Sequence, residues 1–248
     1  MEDMVLVSVI MPVYNTERYV AQAIESVLCQ KVPLELLIID DSSTDHTAEI
    51  AGQYADGSKV LLFCNEKNKG VAESRNLGIR RAKGKYVAFL DGDDWWSEGK
   101  LEEQCAILEK SQAVLCCTGR ELMNPDGTSK GKIIGVPQEI TYSMLLRSNR
   151  IPCSSVVMKT EAARAFYMCH DELHEDYILW LRVLKKYGNA YGINKPMLKS
   201  RLSEKGKSRN KIKSAKMQFG VYRYMGFGWL ASCCYFMMYM IHGVFKYL

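Results

Sequence analysis

Three carboxylates stand on four consecutive residues, Asp91, Asp93 and Asp94, directly after the apolar run Tyr86–Leu90. That much negative charge at the end of a buried strand is costly unless a cation shares the site. An all-carboxylate donor set suits Mg2+ or Mn2+, whose shell is commonly completed by phosphate oxygens of a substrate. The plain structural alternative is a solvated turn built on the Asp91-Gly92 step. A second group, Pro12-Val13-Tyr14-Asn15, ends the apolar run that begins at Val5. A dinucleotide fold would place a glycine-rich turn here. An aromatic ring and an amide instead suit the stacking of a base, or an ordinary strand-ending turn. A third group, Asp40-Asp41, follows Leu34–Ile39. It either accepts hydrogen bonds from a nucleobase imide or a ribose, or opens the Ser42–Asp45 cap of the next helix. A fourth gathers amide and cationic donors, Asn65, Lys67, Asn68, Lys69 and Arg75, around the start of a helix, where an anion is favoured.

The elements that must position these groups alternate. Val5–Met11, Leu34–Ile39, Val60–Cys64, Tyr86–Leu90 and Ala113–Thr118 read as strands. Between them, helical spacing covers Glu17–Gln30 (Val20, Ala23, Ile24, Val27 and Leu28), Thr47–Ala55, Val71–Ala82 and Lys100–Ser111, with cap chemistry at Ser43–Asp45. Such alternation implies a parallel sheet with helices on both faces, and ligands in such sheets sit at the carboxyl ends of the strands. Pro12–Asn15, Asp40–Ser43 and Asp91–Asp94 all fall at such ends and are predicted to converge on one pocket. The second half is less regular: Asn124–Gly127 is a turn between two strands, Pro152–Lys159 alternates as a strand, and Glu175–Tyr187 reads as a helix carrying Ile178, Leu181 and Leu184.

The chain has 248 residues, 48% of them apolar and 25% charged, which is ordinary for a globular protein with a substantial core. Nine cysteines without regular ligand spacing argue against a disulfide framework. The adjacent pairs Cys116-Cys117 and Cys233-Cys234 are expected as small buried hydrophobes in a reducing cytoplasm. The acidic start and short first apolar run predict no signal peptide. From Met225 to Phe245 there is no Asp, Glu, Lys or Arg, yet Ser232, His242 and three glycines interrupt the stretch. It is expected to pack or to lie in a membrane interface rather than span it. Net charge is +5, and the excess concentrates just before this stretch at Lys205, Lys207, Arg209, Lys211, Lys213 and Lys216. That patch suits anionic lipid or a pyrophosphate. Without a reading helix or aromatic-rich binding strand it does not suit nucleic acid.

In order and spacing, Ser8–Asn15, Ile38–Asp45, Asn68–Gly78, Gly84–Asp94 and His174–Trp180 together resemble the family-2 glycosyltransferases of GT-A fold, and the resemblance covers nearly the whole chain. The tail, Ser208–Lys216 followed by Val221-Tyr222-Arg223, looks like a subgroup that builds bacterial surface polysaccharides, of O-antigen or teichuronic-acid type. The resemblance implies an α/β fold with a mostly parallel nucleotide-binding sheet, a smaller mixed acceptor-side region and a helical tail. Its boundaries would be 1–119 for the nucleotide-sugar half, 120–217 for the acceptor half and 218–248 for a membrane-associating segment. Pro12 and Tyr14 would hold a uracil with Asp41 accepting from its N3–H, and Asn15, Asn68 and Arg75 would sit near the nucleotide. Asp91 would contact ribose or metal, Asp93 would ligate Mn2+ or Mg2+ across the diphosphate, and Asp94 is ambiguous. Asp176 would be the catalytic base beside Glu175, although both acids would also complement a helix dipole.

The implied reaction is an inverting, metal-dependent transfer of a hexose from a UDP-sugar, with UDP-glucose or UDP-galactose favoured over a UDP-N-acetylhexosamine. The acceptor would be a polyprenyl-pyrophosphate-linked saccharide at the inner face of the cell membrane. Two other classes compete: a nucleotidyltransferase, which lacks its glycine-rich loop here, and a non-catalytic sugar-nucleotide binder, which would not need Asp176. One departure from the subgroup follows Lys199, where Ser200-Arg201-Leu202-Ser203 stands in place of a stretch ending in His or another basic residue. Arg201 fits a phosphate contact, but Ser203 does not replace an imidazole. Lys205 or Lys207 would then compensate, or the metal shell is more open, and Arg201–Lys216 would form a lid over the diphosphate.

Overall fold

The computed structural model describes residues 5–202 and 211–247, with side chains for 5–202 and 212–241. Strands β1 (Val7–Val13), β2 (Leu34–Asp40), β3 (Val60–Cys64) and β4 (Tyr86–Phe89) are parallel, and α1 (Val20–Leu28), α2 (Thr47–Tyr54) and α3 (Val71–Arg81) connect them. Then follow β5 (Trp95–Trp96), α4 (Lys100–Lys110), β6 (Leu115–Met123), β7 (Ser129–Ile134), β8 (Glu139–Ile140), α5 (Tyr142–Arg147), β9 (Val157–Lys159), α6 (Thr160–Phe166), α7 (Glu175–Tyr187), β10 (Ala190–Arg201), α8 (Lys211–Tyr224) and α9 (Trp229–Tyr247). One sheet has the order β3-β2-β1-β4-β9-β6-β10-β5, with β7 on β6 and β8 on β10. Because β9 lies antiparallel between β4 and β6, strands β6 and β10 again run with β4.

The central strands are buried on both faces, which is why they read as continuous apolar runs. Along β1, Val9, Met11 and Val13 face α1 and α4, while Ile10 packs with Leu37, Phe89, Ile79 and Trp180 on the α3 and α7 side. Helix α3 comes so close to β1 that a Cβ on Gly78 would stand 2.4 Å from the Ile10 side chain. That close seat fixes the amino end of α3, and with it Arg75, above the carboxyl ends of β1 and β4.

Several elements differ from the sequence reading. Helix α1 starts three residues late, because the Thr16 and Glu17 amides donate across to Thr47 and Asp45 instead of entering a helix. Pro152–Lys159 is only partly strand: Cys153–Ser155 form a 3-10 turn closed by Ser155 and Val156 amides on the Pro152 and Cys153 carbonyls. Strand β10 escaped the reading because Gly192, Asn194 and Pro196 interrupt its pattern, and its pairing with β6 does shift register between Ile193 and Leu198. Cys116 and Cys117 are buried as expected, but Cys233 and Cys234 are exposed, since they fall on the outer side of α9. Among the described residues no helix is long and apolar enough to cross a membrane.

Candidate active site

A cavity of 670 Å3 opens at the carboxyl ends of the central strands. Its wall includes Pro12, Tyr14, Asp41, Asn68, Arg75, Asp91, Asp93, Asp94, Glu175 and Asp176, so residues spread over the chain do converge. The loop after β4 gives its three acids different surroundings. The Asp91 amide donates to Ser154 Oγ at 3.2 Å, and its Oδ1 accepts from Arg75 at 2.6 Å. Asp94 is buried: its Oδ1 accepts from the Arg201 amide at 2.9 Å, tying the loop to the end of β10. Burial, then the charges of Asp93 and Asp91, push the Asp94 carboxyl well above the usual carboxylate range. The Asp93 carboxylate accepts no hydrogen bond from any other described residue. Burial and the neighbouring Asp91 push it up to about 6, against the pull of Arg201.

Arg75 is the hinge between the two acidic groups. Its guanidinium is 4% exposed and holds Asp91 at 2.6 Å and Glu175 at 2.8 Å. Two charge-assisted bonds offset the cost of burying that cation. The clamp therefore fixes the amino end of α7 against the β4 loop. Asp176 stands next on α7, partly exposed to the cavity, with its Oδ1 accepting from the Tyr177 amide at 2.7 Å. Burial, with Glu175 beside it, pushes the Asp176 carboxyl up to about 7, while Arg75 opposes the rise. That value is well placed for a proton acceptor near neutrality. His174, also on the cavity wall, reaches Ser214 of α8 at 3.4 Å and so ties the tail helices to the site.

On the other flank, Tyr14 presents a ring that is 48% exposed at the rim. Asp41 Oδ1 accepts from Asn65 at 2.8 Å and from the Lys69 amide at 2.9 Å, while Oδ2 accepts, among the described residues, only the Gly70 amide at 2.8 Å. The second lone pair of Oδ2 stays available for a donor in the cavity. Asn68 lies in the same loop, and Asp171, from the segment before α7, accepts from the Ala72 amide at 3.0 Å. The loop before α3 and the segment before α7 are thus fastened to each other.

Two expected site residues do not reach the cavity. Asn15 has φ 51°, and its Oδ1 accepts from the Thr44 amide at 2.8 Å, so it shapes the β2–α2 loop. The Arg201 side chain is spent inside the protein. It donates to Asp93 O at 3.0 Å, Pro125 O at 2.8 Å and Gln22 Oε1 at 2.7 Å, between the rings of Tyr19 and Trp95. The expected phosphate contact is replaced by a structural one: Arg201 fastens the acidic loop, α1 and the β6–β7 turn together. Ser203, Lys205 and Lys207, with most of the expected lid, lie outside the described residues. Conversely, Arg120, Asn149, Arg150 and Ser154 line the cavity without having been singled out. Isolated residues on a strand and before a proline carry no spacing signal that would mark them.

Among the described residues no three His, Cys, Asp or Glu side chains are arranged to hold a metal ion. The donor set nonetheless fits Mg2+ or Mn2+, which bind through one or two carboxylates and substrate phosphates. Asp93 would be the main ligand, being unpartnered, charged with difficulty and open to the cavity, with the second oxygen of Asp91 beside it.

A model of glycosyl transferase family 2 matches residues 8–167. TuaG of Bacillus subtilis, named for teichuronic acid biosynthesis, is 39% identical over 88% of this chain and 87% of its own. WfgD of Escherichia coli, a UDP-Glc:alpha-D-GlcNAc-diphosphoundecaprenol beta-1,3-glucosyltransferase, is 37% identical over 99% of this chain and 96% of its own. Among solved structures, S. aureus TarS 1–349 with UDP-GlcNAc superimposes with a TM-score of 0.70 at 22% identity, covering 88% of this chain and 65% of that longer one. A mannosyltransferase from Pyrobaculum calidifontis, in complex with GDP-Man and Mn2+, gives 0.70 at 16% identity, over 92% of this chain and 66% of its own. The chain therefore belongs to glycosyl transferase family 2 and is a glycosyltransferase of GT-A fold.

Proposed function

We propose that this enzyme transfers a hexose, with inversion, from a UDP-sugar to a saccharide carried on a lipid diphosphate, in surface polysaccharide synthesis. The observation that carries the reading is that Asp93 and Asp176 face one cavity, held in place through the single Arg75 clamp. UDP-glucose is favoured because WfgD, and WfaP of Escherichia coli at 31% identity, are both named as UDP-Glc:alpha-D-GlcNAc-diphosphoundecaprenol glucosyltransferases.

The uracil stacks on Tyr14, with its imide N–H donated to Asp41. Asp93 and Asp91 would hold Mn2+ or Mg2+, and the ion would supply Lewis-acid stabilisation of the charge on the departing diphosphate. The acceptor hydroxyl attacks the anomeric carbon from the face opposite the diphosphate. As the new C–O bond forms and the old one breaks, Asp176 takes the hydroxyl proton. One in-line displacement inverts the centre.

Peripheral contact with the inner membrane face is supported by α9. Trp229, Leu230, Met237, Met240 and Ile241 are exposed there, and basic Lys213, Lys216 and Arg223 stand on α8. Replacing Leu230, Met237 and Ile241 by serine should release the protein from anionic liposomes in flotation, and undiminished flotation would refute the contact. For the reaction, UDP release is measured across UDP-glucose, UDP-galactose and UDP-N-acetylglucosamine, with and without Mn2+, using an N-acetylglucosaminyl diphospholipid as acceptor. Fastest release from UDP-glucose, dependent on both metal and acceptor, is expected. Release indifferent to the acceptor would refute the transfer reading.

A further inference from the structure

The cavity is electrically divided. Its carboxylates come from the loops after β2 and β4 and from the start of α7, whereas the wall built by β6, β7 and the segment before β9 carries Arg120 and Arg150. In register, Arg120 faces Ile134 of β7 and Leu198 of β10, and both neighbours line the cavity too. Side chains opposite one another across strands share a face, so Arg120 belongs to this wall and not to the outer surface. Arg150 shares the wall, and its Nε is buried without a hydrogen-bond partner.

Neither arginine makes an ion pair with a described carboxylate, although the same cavity holds a dense acidic cluster. Arg75 and Arg201 differ at their terminal nitrogens, which are engaged in ion pairs or hydrogen bonds, although Arg75 Nε is itself buried without a partner. An unsatisfied buried donor is costly, and a guanidinium beside carboxylates pairs with them unless the backbone holds it away. Two unpaired forks in one wall match a diphosphate, whose oxygens accept bidentate donation.

We propose that Arg120 and Arg150 form a second diphosphate site, for the acceptor, distinct from the metal-held diphosphate of the donor. This inference rests on the lipid-diphosphate acceptor proposed above and gives it a place. One sugar ring separates the attacking hydroxyl from the acceptor's own diphosphate, so that diphosphate must lie within the same cavity but away from Asp93. The wall also ends in the right direction. Tyr239 of α9 lines the cavity, while Phe236 and Met240, on the same helix, line an apolar groove with Ile212 and Phe219 of α8. A chain leaving the arginine pair along α9 would meet apolar surface.

The test is equilibrium binding to the full-length protein in EDTA, which removes the metal-held donor site from play. The probes are an alkyl diphospho-N-acetylglucosamine, the phosphate-free alkyl N-acetylglucosaminide and inorganic pyrophosphate. Wild type should prefer the diphospholipid over the neutral glycoside. Arg120→Gln and Arg150→Gln should each weaken that preference by about tenfold, the worth of one charge-assisted contact. Arg150→Lys should restore part of it, and affinity for UDP with Mn2+ should stay unchanged in all variants. Pyrophosphate binding that tracks the diphospholipid assigns the effect to phosphate rather than to lipid. A wild type without the preference, variants that keep it, or variants that lose UDP affinity instead would each overturn the inference. A preference present and lost as expected, in a protein that transfers no sugar to that acceptor, would refute the proposed reaction while leaving the anion site standing.

Discussion

Asp93→Asn should make the metal-free protein more stable while abolishing its metal-dependent chemistry. The Asp93 carboxyl is pushed from 3.8 up to about 6 by burial and by Asp91. The folded state therefore holds that proton more tightly than the unfolded chain does. Its favourable contribution is full below about pH 4 and is lost as pH rises through 6. A shift of about two units corresponds to roughly 3 kcal/mol between the two protonation states. The cavity is open to water and counterions, which reduces the expected gain to about 1–2 kcal/mol. An amide of the same shape carries no charge to repel Asp91 and Asp94. Urea unfolding at about pH 8 in EDTA should show a higher midpoint for the variant and an unchanged slope, and the two proteins should converge near pH 4. Adding Mn2+ to the UDP-bound protein should raise the melting temperature of wild type further and add nothing to that of the variant, because only the native site gains the metal. A variant less stable than wild type in EDTA, or one that keeps metal-dependent turnover, would refute the assignment of Asp93 as the strained, metal-directed acid.

Asp176→Asn should lower turnover by about 10²- to 10⁴-fold while UDP affinity persists, as expected for loss of a general base. In wild type, kcat/KM should rise with pH and level off above about 7, where the raised Asp176 carboxyl has ionised; a profile flat from pH 5 to 8 would remove Asp176 from that role. Arg201→Lys keeps the charge but loses the fork to Gln22 and Pro125 and the fit between Tyr19 and Trp95. It should destabilise by about 2–4 kcal/mol in urea unfolding, and wild-type stability would show that charge alone matters there. Gly70→Ala forces a Cβ at φ 88° to within 1.8 Å of Asp171 Oδ2. The strain, about 1–3 kcal/mol, should show as weaker UDP binding by calorimetry, with unchanged binding counting against the fastening of the two loops.

The half of the site made by parallel strands was legible because strand ends are legible. Tyr86–Leu90 and Leu34–Ile39 are buried on both faces, so each ends where polarity begins, and that boundary is also where ligands sit. Asp41, Asp91 and Asp93 inherit their place from it. What the sequence hid were arrangements that depend on distant partners. Arg75 lines the cavity where it was expected, but the sequence did not show that Asp91 and Glu175, 16 and 100 residues away, take its guanidinium. Arg201 looked like a phosphate ligand because the stretch after Lys199 resembles that of the subgroup, whereas its neighbours in space are carbonyls and rings. Strand β10 hid behind Pro196, since a bulge that relieves a proline looks from sequence like the end of a strand.

Identical residue types therefore do different work here, and the partners decide which. Asp94 is committed to the Arg201 amide, Asp91 to Arg75, and Asp93 is left to the cavity. The same guanidinium that orients Asp91 also holds Glu175, one residue before Asp176. In the proposed reaction, leaving-group side and base side are thus referenced to one buried cation rather than to separate loops. In an in-line displacement the rate depends steeply on the separation of nucleophile and leaving group, so a common anchor protects that separation from independent loop motion. The arginine clamp is for this reason a positioning device: it touches neither the sugar nor the diphosphate in the proposed reaction, yet it sets the distance between the groups that do.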